Sequence, residues 1–130
     1  MSIDIRKREE LERLIGAVRK AAYGCGYCIA EHGSMGRDID LVAIPWTDEA
    51  QYPATLVADV TEAVRAVNGE AFVYNDGECP YRYDRKNPEP KPHGRLAWAI
   101  YLQDGRGSYI DLSVMPLANK QSPTEENHDA

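Results

Sequence analysis

The sequence predicts an α+β fold, a mixed β-sheet of about five strands with helices packed on one face. Two observations lead there. Two segments carry apolar residues at helical spacing along one side only, and several short runs rich in β-branched and aromatic residues alternate apolar with polar positions, most clearly in "RLAWAIYLQDGRGSYIDLSVM" (95–115). At 130 residues the chain has the length of one ordinary domain, with 43% hydrophobic and 28% charged residues, the balance of a globular protein. One domain over 1–116 is expected, followed by a disordered tail over 117–130 that lacks apolar periodicity.

The first helix is expected from about Asp4 to Tyr23, where Leu11, Leu14, Ile15, Val18 and Ala22 share a face and Glu9, Glu10, Glu12, Arg13, Arg19 and Lys20 take the other. Gly24 and Gly26 interrupt it, and "YCIA" from Tyr27 to Ala30 reads as a short strand ending at His32-Gly33. "DIDLVAI", Asp38 to Ile44, is a strand closed by Pro45. A second helix follows over "PATLVADVTEAVRAV", with Leu56, Val57, Val60, Val64 and Val67 on one face, Pro53 near its start and Asn68-Gly69 as its stop. A strand is expected at Ala71–Asn75, then a turn at Asp76-Gly77 and an irregular loop over 78–94 that holds four of the eight prolines. Leu96 to Leu102 and Tyr109 to Met115 form the closing hairpin, turning at Asp104-Gly105-Arg106-Gly107.

The formal net charge of -6 argues against sequence-independent wrapping of nucleic acid, because a phosphate backbone repels an acidic surface unless basic residues cluster. No run of about 18 apolar residues occurs, and the charged start "MSIDIRKREELERL" is unlike a signal peptide, so no membrane partner and a cytoplasmic location are expected. Cys25, Cys28 and Cys79 are an odd set and are expected to be free thiols. The Cys25/Cys28 pair has no second pair near it, and a zinc site would need Cys79 and His32 to complete it.

The chemistry lies in three acids. Side chains alternate across a strand, so Asp38 and Asp40 project to one face while Ile39, Leu41 and Ala43 project to the other, which is the core face. The same pattern in "YIDLSV" turns Ile110, Leu112 and Val114 to the core and Asp111 away from it with Tyr109 and Ser113. The expectation is that these strands are neighbours and the three carboxylates converge. Such an all-oxygen set suits Mg²⁺ or Mn²⁺, which take carboxylates together with water and substrate phosphate, the arrangement used in phosphoryl and nucleotidyl transfer. Gly33 lets the backbone approach a polyphosphate closely, and Ser34 adds a hydroxyl beside exposed N–H groups.

Gly33-Ser34 followed by Asp38-x-Asp40 on a hydrophobic strand, with the later Asp111 inside another, resembles the nucleotidyltransferase superfamily that includes polymerase beta and the minimal nucleotidyltransferases. The resemblance covers roughly residues 5–116. It implies that Gly33 and Ser34 hold nucleotide phosphates, that Asp38 and Asp40 ligate metal, and that Asp111 is the third ligand and helps the attacking hydroxyl. It also implies an enzyme that binds a nucleoside triphosphate such as ATP and moves its nucleoside monophosphate to a hydroxyl of an unknown acceptor: protein, RNA or small molecule. Only Met35, Gly36 and Arg37 separate Ser34 from Asp38, a shorter link than family members usually have. Either Gly36 and Arg37 share the phosphate-binding work, or the fold persists as a non-catalytic module that binds nucleotide or a protein partner, similar to the antitoxin-like members.

More ordinary roles stand beside these. The three acids can be solvent-facing strand residues, Ser34 can cap a turn, and Arg37 can neutralise the acids rather than reach a phosphate. Arg82, Arg85, Lys86 and Lys91 form either a solvated face or a triphosphate clamp. His32 and His93 are candidates for substrate contact, as are Trp46, Trp98 and Tyr101 for base stacking, although the alternation around Trp98 is that of a core residue.

Overall fold

A computed structural model describes residues 5–33, 38–74, 87–105 and 107–117, with side chains in the first helix from Arg8 onward. The elements run α1 (Ile5–Gly24), β1 (Tyr27–His32), β2 (Ile39–Pro45), α2 (Pro53–Asn68), β3 (Glu89–Pro90), a short 3-10 turn (Pro92–Gly94), β4 (Leu96–Tyr101) and β5 (Tyr109–Val114). The strands form one five-stranded mixed sheet in the order β1-β2-β5-β4-β3. Every neighbouring pair is antiparallel except β2 and β5, which run parallel. The expected α+β architecture is therefore present.

Period-two alternation decides which face is covered. Ile39, Leu41 and Ala43 of β2, Trp98 and Ile100 of β4, and Ile110, Leu112 and Val114 of β5 are buried together with Leu14, Ile15, Val18 and Ala22 of α1 and Leu56, Val57, Val60 and Val64 of α2. Both helices thus lie on one face, because each has a single apolar stripe to bury and the odd-numbered or even-numbered residues of each strand offer one apolar surface. Helix α2 starts with Pro53 in its first turn, where a missing N–H costs nothing, and stops at Gly69, whose φ of 92 lets its N–H return to the Arg65 carbonyl at 2.8 Å.

The corner between α1 and β1 is tightly built. Gly26, at φ +88, sits where an added Cβ would come within 2.7 Å of Ala50 Cα and Thr47 Oγ1. The Gln51 N–H donates to the Cys25 carbonyl at 2.9 Å, and the Tyr27 hydroxyl donates to the Gln51 carbonyl at 2.6 Å. Beside them the Cys25 thiol donates to Asp59 Oδ2 at 3.1 Å. Burial, reinforced by that hydrogen bond and the Asp59 charge, pushes the Cys25 thiol up to about 11; burial and then the neighbouring Cys25 charge push the Tyr27 hydroxyl up to about 12. Cys25 is buried while Cys28 is exposed on β1, and both are free thiols. Cys79 lies outside the described residues.

The segment after α2 departs from expectation. In place of a strand at Ala71–Asn75 there is a single bridge from Phe72 to Tyr101, with bonds of 3.0 and 2.8 Å, and Asn75 lies outside the described residues. The reason is that the edge of β4 is shared by several groups. Phe72 pairs with Tyr101, the Asn87 side chain accepts from the Ala99 N–H at 3.0 Å, and Glu89–Pro90 pairs with Ala97 and Leu96. The fifth strand is therefore β3, inside the stretch expected to be an irregular loop, and Pro90, which has no N–H to extend a ladder, keeps it to two residues. The Asp76-Gly77 turn and residues 118–130 of the tail lie outside the described residues. Among the described residues no helix is long and apolar enough to cross a membrane.

Candidate active site

The face of the sheet opposite the helices carries the acids; it is exposed along β1 and buried at Ala97, Ala99, Tyr101 and Ser113 of β4 and β5. Asp40 is directly opposite Asp111 across the parallel β2/β5 pair, and His32 of β1 and Ala99 of β4 extend that row to either side. Cα atoms of neighbouring strands lie about 4.8 Å apart, so this register sets two carboxylates side by side on one face. Both are half-buried. The expected neighbourhood of Asp40 and Asp111 is thus met by strand pairing alone.

Asp38 stands in the bend entering β2 and is half-buried. Its Oδ1 is buried with no hydrogen-bond partner among the described residues. A buried carboxylate oxygen lacking a donor is costly, and a cation or a substrate N–H or O–H would relieve it. Gly33, at the end of β1 with φ +79, lies against Asp40: a Cβ there would come within 2.7 Å of Asp40 Oδ2. Only a residue without a side chain brings the backbone this close to the carboxylate. Ser34, Gly36 and Arg37 lie outside the described residues, as do Arg82, Arg85 and Lys86.

The next row on the same face is built from small residues, Ala30, Val42, Ser113 and Ala97. Arg95 reaches it, donating from Nη1 to Ser113 Oγ at 3.1 Å and from Nε to the Pro92 carbonyl at 3.0 Å. Two acceptors fix this guanidinium beside Ser113, two residues along β5 from Asp111. Arg95 is not among the basic residues expected at the site; its signal in the sequence is that it shares the parity of Ala97 and Ala99 and so belongs to the face of the acids. Lys91, by contrast, forms an ion pair with Glu89 at 3.3 Å on the sheet edge.

On the other side of Asp111 an aromatic run crosses the face. Tyr109 packs on Tyr101 at 5.3 Å between ring centroids, Tyr101 on Tyr74 at 5.5 Å, and Tyr74 on Phe72 at 6.0 Å. Tyr101 is buried within this cluster, and Trp98 belongs to the core. Trp46 is 75% exposed just past the end of β2, at the opposite end of that strand from Asp40. His93 is exposed in the 3-10 turn at φ 67, and His32 is exposed beside Asp40.

Among the described residues no three His, Cys, Asp or Glu side chains are grouped as a metal-binding cluster. A Mg²⁺ or Mn²⁺ ion needs only one or two protein carboxylates when water and substrate phosphate complete its shell. The registered Asp40/Asp111 pair fits that requirement, whereas Asp38, in the bend before β2, is not grouped with the two, so the expected convergence of three carboxylates is met by two. Compared with models of protein families, with curated proteins and with solved structures, the chain finds no match in any of the three.

Proposed function

We propose that the protein is a metal-dependent nucleotidyltransferase that moves a nucleoside monophosphate from a nucleoside triphosphate to a hydroxyl of an acceptor. The observation that carries this reading is the register of Asp40 with Asp111, reinforced by the close seat of the Gly33 backbone against Asp40. Asp40 and Asp111 would hold Mg²⁺ or Mn²⁺, which supplies charge neutralisation for the carboxylates and the phosphates when bound. Gly33 and Ser34, with Gly36 and Arg37, would take the phosphates, and Arg95 adds a fixed cation on the same face. Asp111 accepts the proton of the attacking hydroxyl as its oxygen bonds to the α-phosphorus. The bond from the α-phosphorus to the bridging oxygen breaks, and pyrophosphate leaves. Incubation with labelled triphosphates should release pyrophosphate and label an acceptor; Asp40→Asn and Asp111→Asn should each abolish both, and full activity in the two variants would end the assignment.

A second reading is favoured by the three-residue link Met35-Gly36-Arg37. The site would then bind a nucleotide, or a protein partner, without turnover. Calorimetry with a nucleoside triphosphate and Mg²⁺ separates the two: heat of binding without pyrophosphate release identifies the module.

A further inference from the structure

The two edges of the sheet are built differently. The β3 edge is two residues long, contains Pro90, follows Pro88 and carries the Lys91–Glu89 ion pair, all of which discourage strand addition. The β1 edge has six residues, "YCIAEH", in unbroken register with β2 from Tyr27 to His32, with no proline, lysine or bulge. Cys28, Ala30, Glu31 and His32 are exposed along it. Its one acid, Glu31, is matched by Arg19 at 3.2 Å, so the edge carries little net charge. Two large aromatics, Tyr23 at 84% and Trp46 at 75% exposure, flank its Gly26 end, where the Trp46 N–H donates to the Gly26 carbonyl and the Gly26 N–H to the Tyr23 carbonyl.

That Trp46–Gly26 bond fixes which amides are in use. In an antiparallel pair alternate residues bond inward, so Cys28, Ala30 and His32 bond to β2, while Tyr27, Ile29 and Glu31 turn their N–H and C=O groups outward. We propose that the β1 edge is the interface of a homodimer, in which β1 pairs antiparallel with β1 of a second copy about a two-fold axis through Ile29.

This register uses every outward amide of the strand: Ile29 pairs with its own copy, and Tyr27 with Glu31 of the other chain. An antiparallel strand edge is self-complementary, which is what a two-fold axis demands, so the second copy is the occupant that the edge itself specifies. The two sheets become one continuous sheet with all helices on a common face. Gly26 of one copy then lies opposite His32 of the other. Trp46, on the same face as Asp40 by parity, extends toward the second copy's acids across about 14 Å of strand spacings.

The full chain should sediment at twice its 14.5 kDa mass. Glu31→Pro removes an outward N–H and the exposed ion pair with Arg19, leaving the bonds to β2 in place, and Cys28→Lys sets lysines on the exposed side of the edge; each should give a folded monomer with an unchanged far-ultraviolet dichroism spectrum. Because Cys28 would face Ala30 of the second copy in a non-hydrogen-bonded pair, Ala30→Cys should yield a disulfide-linked dimer on oxidation, and Cys28→Ser in that background should abolish it. A monomeric wild-type chain, a dimer that survives in folded Cys28→Lys protein, or cross-linking that persists without Cys28 would each overturn the proposal.

Discussion

Replacing Gly33 by alanine tests the link between the β1 turn and the acid pair. The substitution has two separable consequences. An alanine at φ +79 is strained by roughly 1–2 kcal/mol, and the stiffer unfolded chain offsets roughly 0.4–1 kcal/mol of that, leaving a net loss of about 1 kcal/mol. For a domain of this size that lowers the melting temperature by about 3–5 °C. The second consequence is local. A Cβ at 2.7 Å from Asp40 Oδ2 is closer than real contacts allow, so the carboxylate must retreat by several tenths of an ångström. Displacing a reacting group by about 1 Å can lower a rate by 10²-fold, so a shift of several tenths of an ångström is expected to cost less, on the order of 10-fold. Gly69 supplies the control, because it has φ +92 with nothing within 4 Å of an added Cβ. Gly69→Ala should reproduce the thermal shift and leave pyrophosphate release unchanged. Equal melting temperatures with equal activity in both variants would refute the reasoning, since Gly33 would then owe nothing to Asp40.

Other outcomes follow from the same geometry. Asp111→Asn keeps the shape of the side chain and removes its charge, so the variant should stay folded, with an unchanged far-ultraviolet dichroism spectrum, while transfer is lost. Leu112→Ala, at a fully buried position between the helices and the sheet, should cost about 2–5 kcal/mol by urea titration with m unchanged. In alkali, the Cys25 thiol is held above its ordinary 9.0, at about 11. Its neutral form therefore stabilises the fold fully below pH 9, and about 2–3 kcal/mol at most is lost as pH rises through 11. Cys25→Ala should flatten the stability curve between pH 9 and 10, leaving the fall from Tyr27 above pH 10, which is smaller than in the parent because the Cys25 charge no longer acts on that hydroxyl.

Faces were far more legible in the sequence than neighbours. Alternation in "DIDLVAI" and "YIDLSV" is a local property, and it correctly assigned Ile39, Leu41, Ile110 and Leu112 to the core and the aspartates to the other side. That Asp40 meets Asp111 is not local: a parallel pair needs a long crossover, and its register depends on how both strands pack under α1 and α2. The two helices were readable to within about two residues because their apolar stripes and the Pro53 and Gly69 signals agree. The β4 edge was not, because the partner of the Ala99 amide is a side chain, that of Asn87, and no strand propensity announces it. Strand β1 ends at His32, where the His32-Gly33 signal stops it, and its polar Glu31 and His32 are tolerated on an edge strand.

The sheet is completed from within. Strand β5 comes last in sequence yet lies between β2 and β4, and it alone joins them. A growing polypeptide interrupted ahead of Tyr109 therefore leaves β2 and β4 joined only through the helices that pack on both, each strand offering an unsatisfied row of amides where β5 belongs. Any competence that depends on Asp111 is gained in the same event that closes this gap, so nascent or truncated forms should be inert and prone to capture by stray strands.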